Sequence, residues 1–155
     1  MTDRPGKAEE LFRKGCACSQ AVLLAYAPDL GLDRGTATRI AAGFAGGMRR
    51  GETCGAVTGA IMALGLHHCP PDSSSAAERA QTYKAVLELM ARFEKRNGSL
   101  MCKELLGYNI STPEGAKAVK EKGLHQSVCT KLVRDAAEIL EELAGPGQAR
   151  LQDVH

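Results

Sequence analysis

The chain has 155 residues, enough for one domain with a real core, and its 44% hydrophobic and 25% charged residues are an ordinary soluble globular composition. A formal net charge of +2 and only 4% aromatic residues, with no Trp, argue against a nucleic-acid surface, and no apolar run approaches the roughly 20 residues a membrane span needs. The opening MTDRPGKAEELF lacks the apolar core of a signal peptide, which predicts a cytoplasmic protein.

Pro5 to Lys14 reads as a first short helix, with Pro near its start and Ala8, Leu11 and Phe12 on one face. Gly15 stops it. A second helix restarts at Cys18 or Ser19, turns Val22, Leu23 and Tyr26 inward, and ends at Pro28 and Gly31. Asp33 is the candidate cap of a third over Arg34 to Phe44, with apolar positions Ala37, Ile40, Ala41 and Phe44. The following FAGGMRRGE reads as a glycine-rich loop.

That loop feeds the stretch the chain is organised around, GETCGAVTGAIMALGL from Gly51 to Leu66. Gly55 and Gly59 are four apart and share a helix face, with Ala56, Ala60 and Ala63 on the neighbouring strip. So lean a face lets a second backbone come close, and it also offers a homodimer seam. Thr53 as N-cap would put Cys54 in the first turn, where the positive end of the helix dipole favours thiolate.

HHCPPDSSS ends this helix. Ser75 and Glu78 form a capping-box pattern that opens the longest amphipathic stretch, running to Arg96 with Val86, Leu89, Met90 and Phe93 inward. Asn97-Gly98 closes it, and Ser99 caps a short helix carrying Cys102, Leu105 and Leu106. Thr112-Pro113-Glu114 starts a short polar helix that Gly123 ends. The last helix spans Gln126 to Leu143, with Val128, Leu132, Ala136, Ile139 and Leu143 at helical spacing. No alternating apolar–polar run marks a strand. The expected architecture is all-α: one bundle-like domain of about six or seven helices over residues 1–145, with a frayed tail over 146–155.

Six cysteines are many for a chain expected in a reducing compartment, where such an excess points to metal or redox chemistry. Cys18, Cys54, Cys102 and Cys129 each fall in or just before the first turn of a predicted helix. Converging, they would form the sulfur-rich site that an iron–sulfur cluster, a soft metal or a dithiol pair requires. No two of the four are close in sequence and there is no CxxC pair, so spacing alone leaves a second reading open: buried cysteines acting as small apolar residues.

The motif Cys54-Gly55-Ala56-Val57-Thr58-Gly59, with Cys18-Ser19-Gln20-Ala21-Val22 and Phe44-Ala45-Gly46-Gly47-Met48 upstream and Cys102 and Cys129 downstream, resembles a family of redox-active proteins. That family is named for four cysteines and a CGAxxG motif. The resemblance covers nearly the whole chain. It implies a small helical protein with Cys18, Cys54, Cys102 and Cys129 as its defining set. Some relatives look like the cysteine-bearing part of larger cytochromes with an iron–sulfur centre, which favours a cluster here. The absence of CxxCH excludes covalent c-type haem.

Three functions are carried forward. The first is electron transfer, with Cys18, Cys54, Cys102 and Cys129 ligating a [2Fe–2S] cluster that a redox partner protein would reduce or oxidise. The second is metal-free thiol–disulfide cycling of Cys54 with Cys18. The third is a structural zinc scaffold held by the same four cysteines. Cys16 reads as a non-essential extra thiol that could exchange with Cys18. His67, His68 and Cys69 read as a surface or capping group, since neighbours on a helix end point apart. Arg49, Arg50 and Glu52 border the loop before Cys54 and read as a solvated loop, the alternative being that they tune its charge or bind an anion. His125, four residues before Cys129, could serve as a base or ligand but reads as structural, and Tyr26, Tyr83 and Tyr108 as core or rim. Nucleotide-binding glycine motifs are absent.

Overall fold

The computed structural model describes residues 3–144, among which are eight α-helices and no strand. The fold is all-α, with slightly more helices than expected because the short segments hold as separate helices. The expected domain boundary at 145 and the tail over 146–155 lie outside the described residues. Among the described residues no helix is long and apolar enough to cross a membrane.

The helices are α1 (Arg4–Arg13), α2 (Cys18–Tyr26), α3 (Arg34–Ala41), α4 (Gly55–His68), α5 (Ala76–Asn97), α6 (Cys102–Leu106), α7 (Pro113–Glu121) and α8 (Thr130–Ala144). Short polar side chains start several of them. Asp3 accepts the Gly6 N–H at 2.9 Å, Asp33 that of Thr36 at 2.9 Å, and Thr112 that of Gly115 at 3.0 Å. A wide turn over His125–Cys129 runs directly into α8.

Helix α4 is the centre. It carries no Asp, Glu, Lys or Arg, is buried along most of its length, and packs against α2, α5 and α8. Val57 and Leu64 of α4 meet Leu89 and Phe93 of α5 and Val133, Ile139 and Leu140 of α8, all fully buried. Each such side chain contributes about 1.5–3 kcal/mol by leaving water. The lean face of α4 receives α2. A Cβ on Gly59 would lie 2.5 Å from the Ser19 carbonyl oxygen, so the two backbones touch. That face is occupied within the chain, and a dimer seam would need another surface.

The start of α2 is pinned to the end of α3. The buried Ser19 hydroxyl donates to the Ala41 carbonyl at 2.8 Å. Gln20 accepts the Ala17 N–H at 2.9 Å and donates to the Thr38 carbonyl at 3.0 Å. These bonds satisfy terminal groups of both helices.

Several expectations are corrected. Helix α3 ends at Ala41 and a tighter turn over Ala42–Phe44 follows, so Phe44 (37% exposed) falls outside the helical period, and Ile40 (52%), inside α3, also faces outward. Helix α4 continues through His68, with the Cys69 N–H still bonded to Gly65 at 2.9 Å, so His67 and His68 are buried rather than superficial. Their rings meet edge to face at 4.6 Å. The expectation for the tyrosines as core or rim residues holds: Tyr26 is buried, its hydroxyl 2.8 Å from the Ala137 carbonyl, and Tyr83 is half exposed.

Candidate functional site: a cavity lined by cysteines

Two short segments fix the centre of the site. Thr53 pairs with Met101 in an isolated antiparallel bridge. The Cys54 N–H donates to the Leu100 carbonyl at 2.8 Å, and the Cys102 N–H to the Glu52 carbonyl at 2.6 Å. This pairing sets the start of α4 beside the start of α6 and brings two cysteines 48 positions apart into one place. Thr53 belongs to the bridge rather than to the helix, so Cys54 itself takes the N-cap position of α4. Met101 likewise takes the N-cap position of α6, where Ser99 accepts its N–H at 2.9 Å.

The other two cysteines arrive from opposite sides. Cys18 opens α2, and a Cβ on Gly55 would lie 2.3 Å from its Sγ. Cys129 closes the wide turn before α8, with its sulfur 3.7 Å from His125 Nδ1. Cys18, Cys54, Cys102 and Cys129 line a common cavity of about 300 Å³, the small end of the usual range for ligand pockets. Phe12, Leu106, Ile110 and Leu132 supply apolar walls, and Cys16, Arg49 and His125 also reach it. Cys69 sits at the opposite end of α4, in a separate groove. All six cysteines are free. Among the described residues no three His, Cys, Asp or Glu side chains converge closely enough to hold a single metal ion.

Burial governs the ionisation of these thiols. It pushes Cys54, 6% exposed, well above the usual thiol range, and the neighbouring Cys18 adds to the rise. The N–H groups of Ala56 and Val57 pull the other way, yet no side-chain capping hydrogen bond forms. Desolvation outweighs them, which corrects the expected bias toward thiolate. Cys102 is pushed up to about 11 by burial and then by Cys18, with Arg49 partly opposing. Cys129 is pushed up to about 12 by burial, then by Cys18 and Cys102. Cys18 therefore lies within electrostatic reach of all three others.

Arg49, expected in a solvated loop and able there to tune charge or bind an anion, is exposed and also reaches the cavity wall. It sits in a left-handed turn in which Gly46, Gly47, Met48 and Arg49 have φ of 65°, 62°, 56° and 63°. Met48 and Arg49 are the non-glycine residues with positive φ among those described, and such a residue costs about 1–2 kcal/mol. The glycine pair marks the turn in the sequence, but no local pattern says that Arg49 faces sulfur. Cys16, read as a bystander, also reaches the cavity wall.

A family model described as Putative redox-active protein (C_GCAxxG_C_C) matches residues 16–143. The chain belongs to this family. The match spans all five cavity cysteines and the elements that carry them. The family label writes its central motif GCAxxG, whereas this chain reads Cys54-Gly55-Ala56 with Gly59. The structure gives both glycines a physical role: Gly55 leaves room for the Cys18 thiol and Gly59 for the α2 backbone. No curated protein and no solved structure matches the chain.

Proposed function

We propose that the protein transfers electrons through a [2Fe–2S] cluster ligated by Cys18, Cys54, Cys102 and Cys129. One observation carries this reading: Cys18, Cys54, Cys102 and Cys129, brought in by four separate elements, line one cavity of about 300 Å³. Cys54, Cys102 and Cys129 are raised by burial, so they are poor free nucleophiles. A coordinating thiol is instead deprotonated by the metal's own charge, which suits a buried set of this kind. A lone zinc ion suits it less, since zinc wants its sulfurs converging to about 2.3 Å from one point.

When bound, such a cluster supplies a one-electron couple. The chain's own residues present the sulfurs, while Phe12, Leu106, Ile110 and Leu132 keep water away from them. A redox protein is the implied partner. The test is anaerobic reconstitution followed by iron, sulfide and visible-absorption measurement. Equal iron and sulfide with a charge-transfer spectrum supports the reading, and a colourless, iron-free protein overturns it.

A second reading, metal-free thiol–disulfide exchange with Cys54 and Cys18 cycling, draws on the place of the Cys18 sulfur, 2.3 Å from where a Cβ on Gly55, the residue after Cys54, would lie. His125 Nδ1, 3.7 Å from Cys129 Sγ, stands beside a third cavity thiol. That contact offers a base beside a cavity thiol. Thiol counts before and after mild oxidation decide it, and an unchanged count rules it out.

A further inference from the structure

Arg49 is the permanently charged residue on the cavity wall, and none of the residues lining that cavity is an Asp or Glu. The neighbouring Arg50 pairs with Glu52 at 3.3 Å, while Arg49 has no carboxylate partner among the described residues. Its backbone is held in the left-handed region together with Met48. The turn is locked from several sides. The Glu52 N–H bonds the Gly47 carbonyl at 3.2 Å, and a Cβ on Gly47 would strike the Glu52 backbone at 2.3 Å. A Cβ on Gly46 would meet Ile110 Cδ1 at 2.2 Å and Arg49 Nη1 at 2.9 Å. The bare Gly46 backbone is thus the surface on which the guanidinium lies.

We infer that this left-handed turn exists to fix the Arg49 guanidinium as the counter-charge of the cavity, so that the cavity accepts an occupant of net negative charge. A strained conformation kept at a site, with an unpaired cation as its product, is strain tied to function. An iron–sulfur core with four thiolates is negative in both redox states, so for the potential the inference rests on the reading above. A cation fixed beside the cluster favours the more negative, reduced form and raises the reduction potential. The attraction of anions to the cavity does not rest on that reading. Arg49 is not a ligand; it acts by charge.

The test compares Arg49→Gln, which removes the charge at similar size, with Arg49→Lys, which keeps it. In metal-free protein at low ionic strength, the cavity thiols are titrated with dithiobis(nitrobenzoate), a dianionic disulfide, and with dithiodipyridine, an uncharged one. Both react by the same exchange, a protein thiolate displacing an aromatic thiolate, so their rate ratio reports local charge and cancels thiol ionisation. The ratio should fall about fivefold in Arg49→Gln and stay near wild type in Arg49→Lys. Arg49→Gly should raise the Tm of the metal-free protein by about 3 °C, because glycine adopts the turn without strain. In reconstituted protein the potential should drop in Arg49→Gln and recover in Arg49→Lys. An unchanged rate ratio in Arg49→Gln overturns the counter-charge, and an unraised Tm in Arg49→Gly overturns the strain. If wild-type protein takes up no iron, the cluster reading fails while the rate ratio still decides the role of Arg49.

Discussion

The Cys18 thiol occupies the space that a side chain on Gly55 would need: a Cβ there would lie 2.3 Å from Cys18 Sγ, with the Phe44 carbonyl and the Ser19 nitrogen both at 3.3 Å. Glycine beside Cys54 is therefore a condition for Cys18 to reach the cavity. Gly55→Ala should push the thiol aside, destabilise the protein by about 1–3 kcal/mol in urea, and reduce iron uptake on reconstitution. An alanine variant that loads iron like wild type would show that Cys18 does not depend on this space.

Gly59→Ala should be costlier, because what it meets is the α2 backbone rather than a side chain. The Ser19 carbonyl oxygen would be 2.5 Å away and its Cα 3.1 Å. Helix α2 must back away from α4, at about 3 kcal/mol or more. Gly65, on the same helix with nothing within 4 Å of its missing Cβ, provides an internal control. Gly65→Ala should stabilise by about 0.5–1 kcal/mol through helix propensity. Thermal melts of the two variants, moving in opposite directions, check both.

Stability of the metal-free protein should decline in alkali. Cys102 has an ordinary value of 9.0 and is pushed up to about 11 in the fold, and Cys129 from 9.0 to about 12. Above pH 9 the unfolded chain gives up these protons while the native state still holds them, so rising pH favours unfolding. The contribution is complete below pH 9 and is lost as pH rises through the folded values. The buried Tyr26, also raised, acts in the same sense at higher pH. Urea midpoints from pH 8 to 11 should fall, and a flat profile would contradict the burial of the thiols. Iron loading has the opposite dependence, because ligation releases the thiol protons and acid opposes it.

Cys16 separates membership of the cavity from membership of the ligand set. It shares the wall with the other four. Cys16→Ser should keep wild-type iron and sulfide content, whereas serine at Cys18, Cys54, Cys102 or Cys129 should each lower it severalfold. Retained iron in one of those four, with loss in Cys16→Ser, would reassign the fourth ligand to Cys16.

Much of this molecule is written in local pattern. The caps at Asp33, Ser75 and Thr112, the breaks at Gly15, Gly98 and Gly123, and the lean Gly55–Gly59 face depend on neighbours within one helical turn, so a linear chain displays them. Cys18, Cys54 and Cys102 likewise sit where helices start, whereas Cys129 ends the turn that runs into α8. Phe44 misled because the α-helical period stops at Ala41 and a tighter turn takes over, whereas Ile40, within α3, simply faces outward.

The sequence by itself determined an all-α chain, a small-residue central helix and four thiols at or just before helix starts, because each of these is a short-range property of the backbone. Only the tertiary structure decided that Cys54 and Cys102 start side by side across the Thr53–Met101 bridge, that burial raises the Cys54, Cys102 and Cys129 thiols, and that Arg49 reaches the same cavity. Desolvation and the meeting of distant side chains depend on what the rest of the chain packs around a residue. At Cys54 that packing outweighs the helix dipole, an electrostatic effect visible from sequence alone.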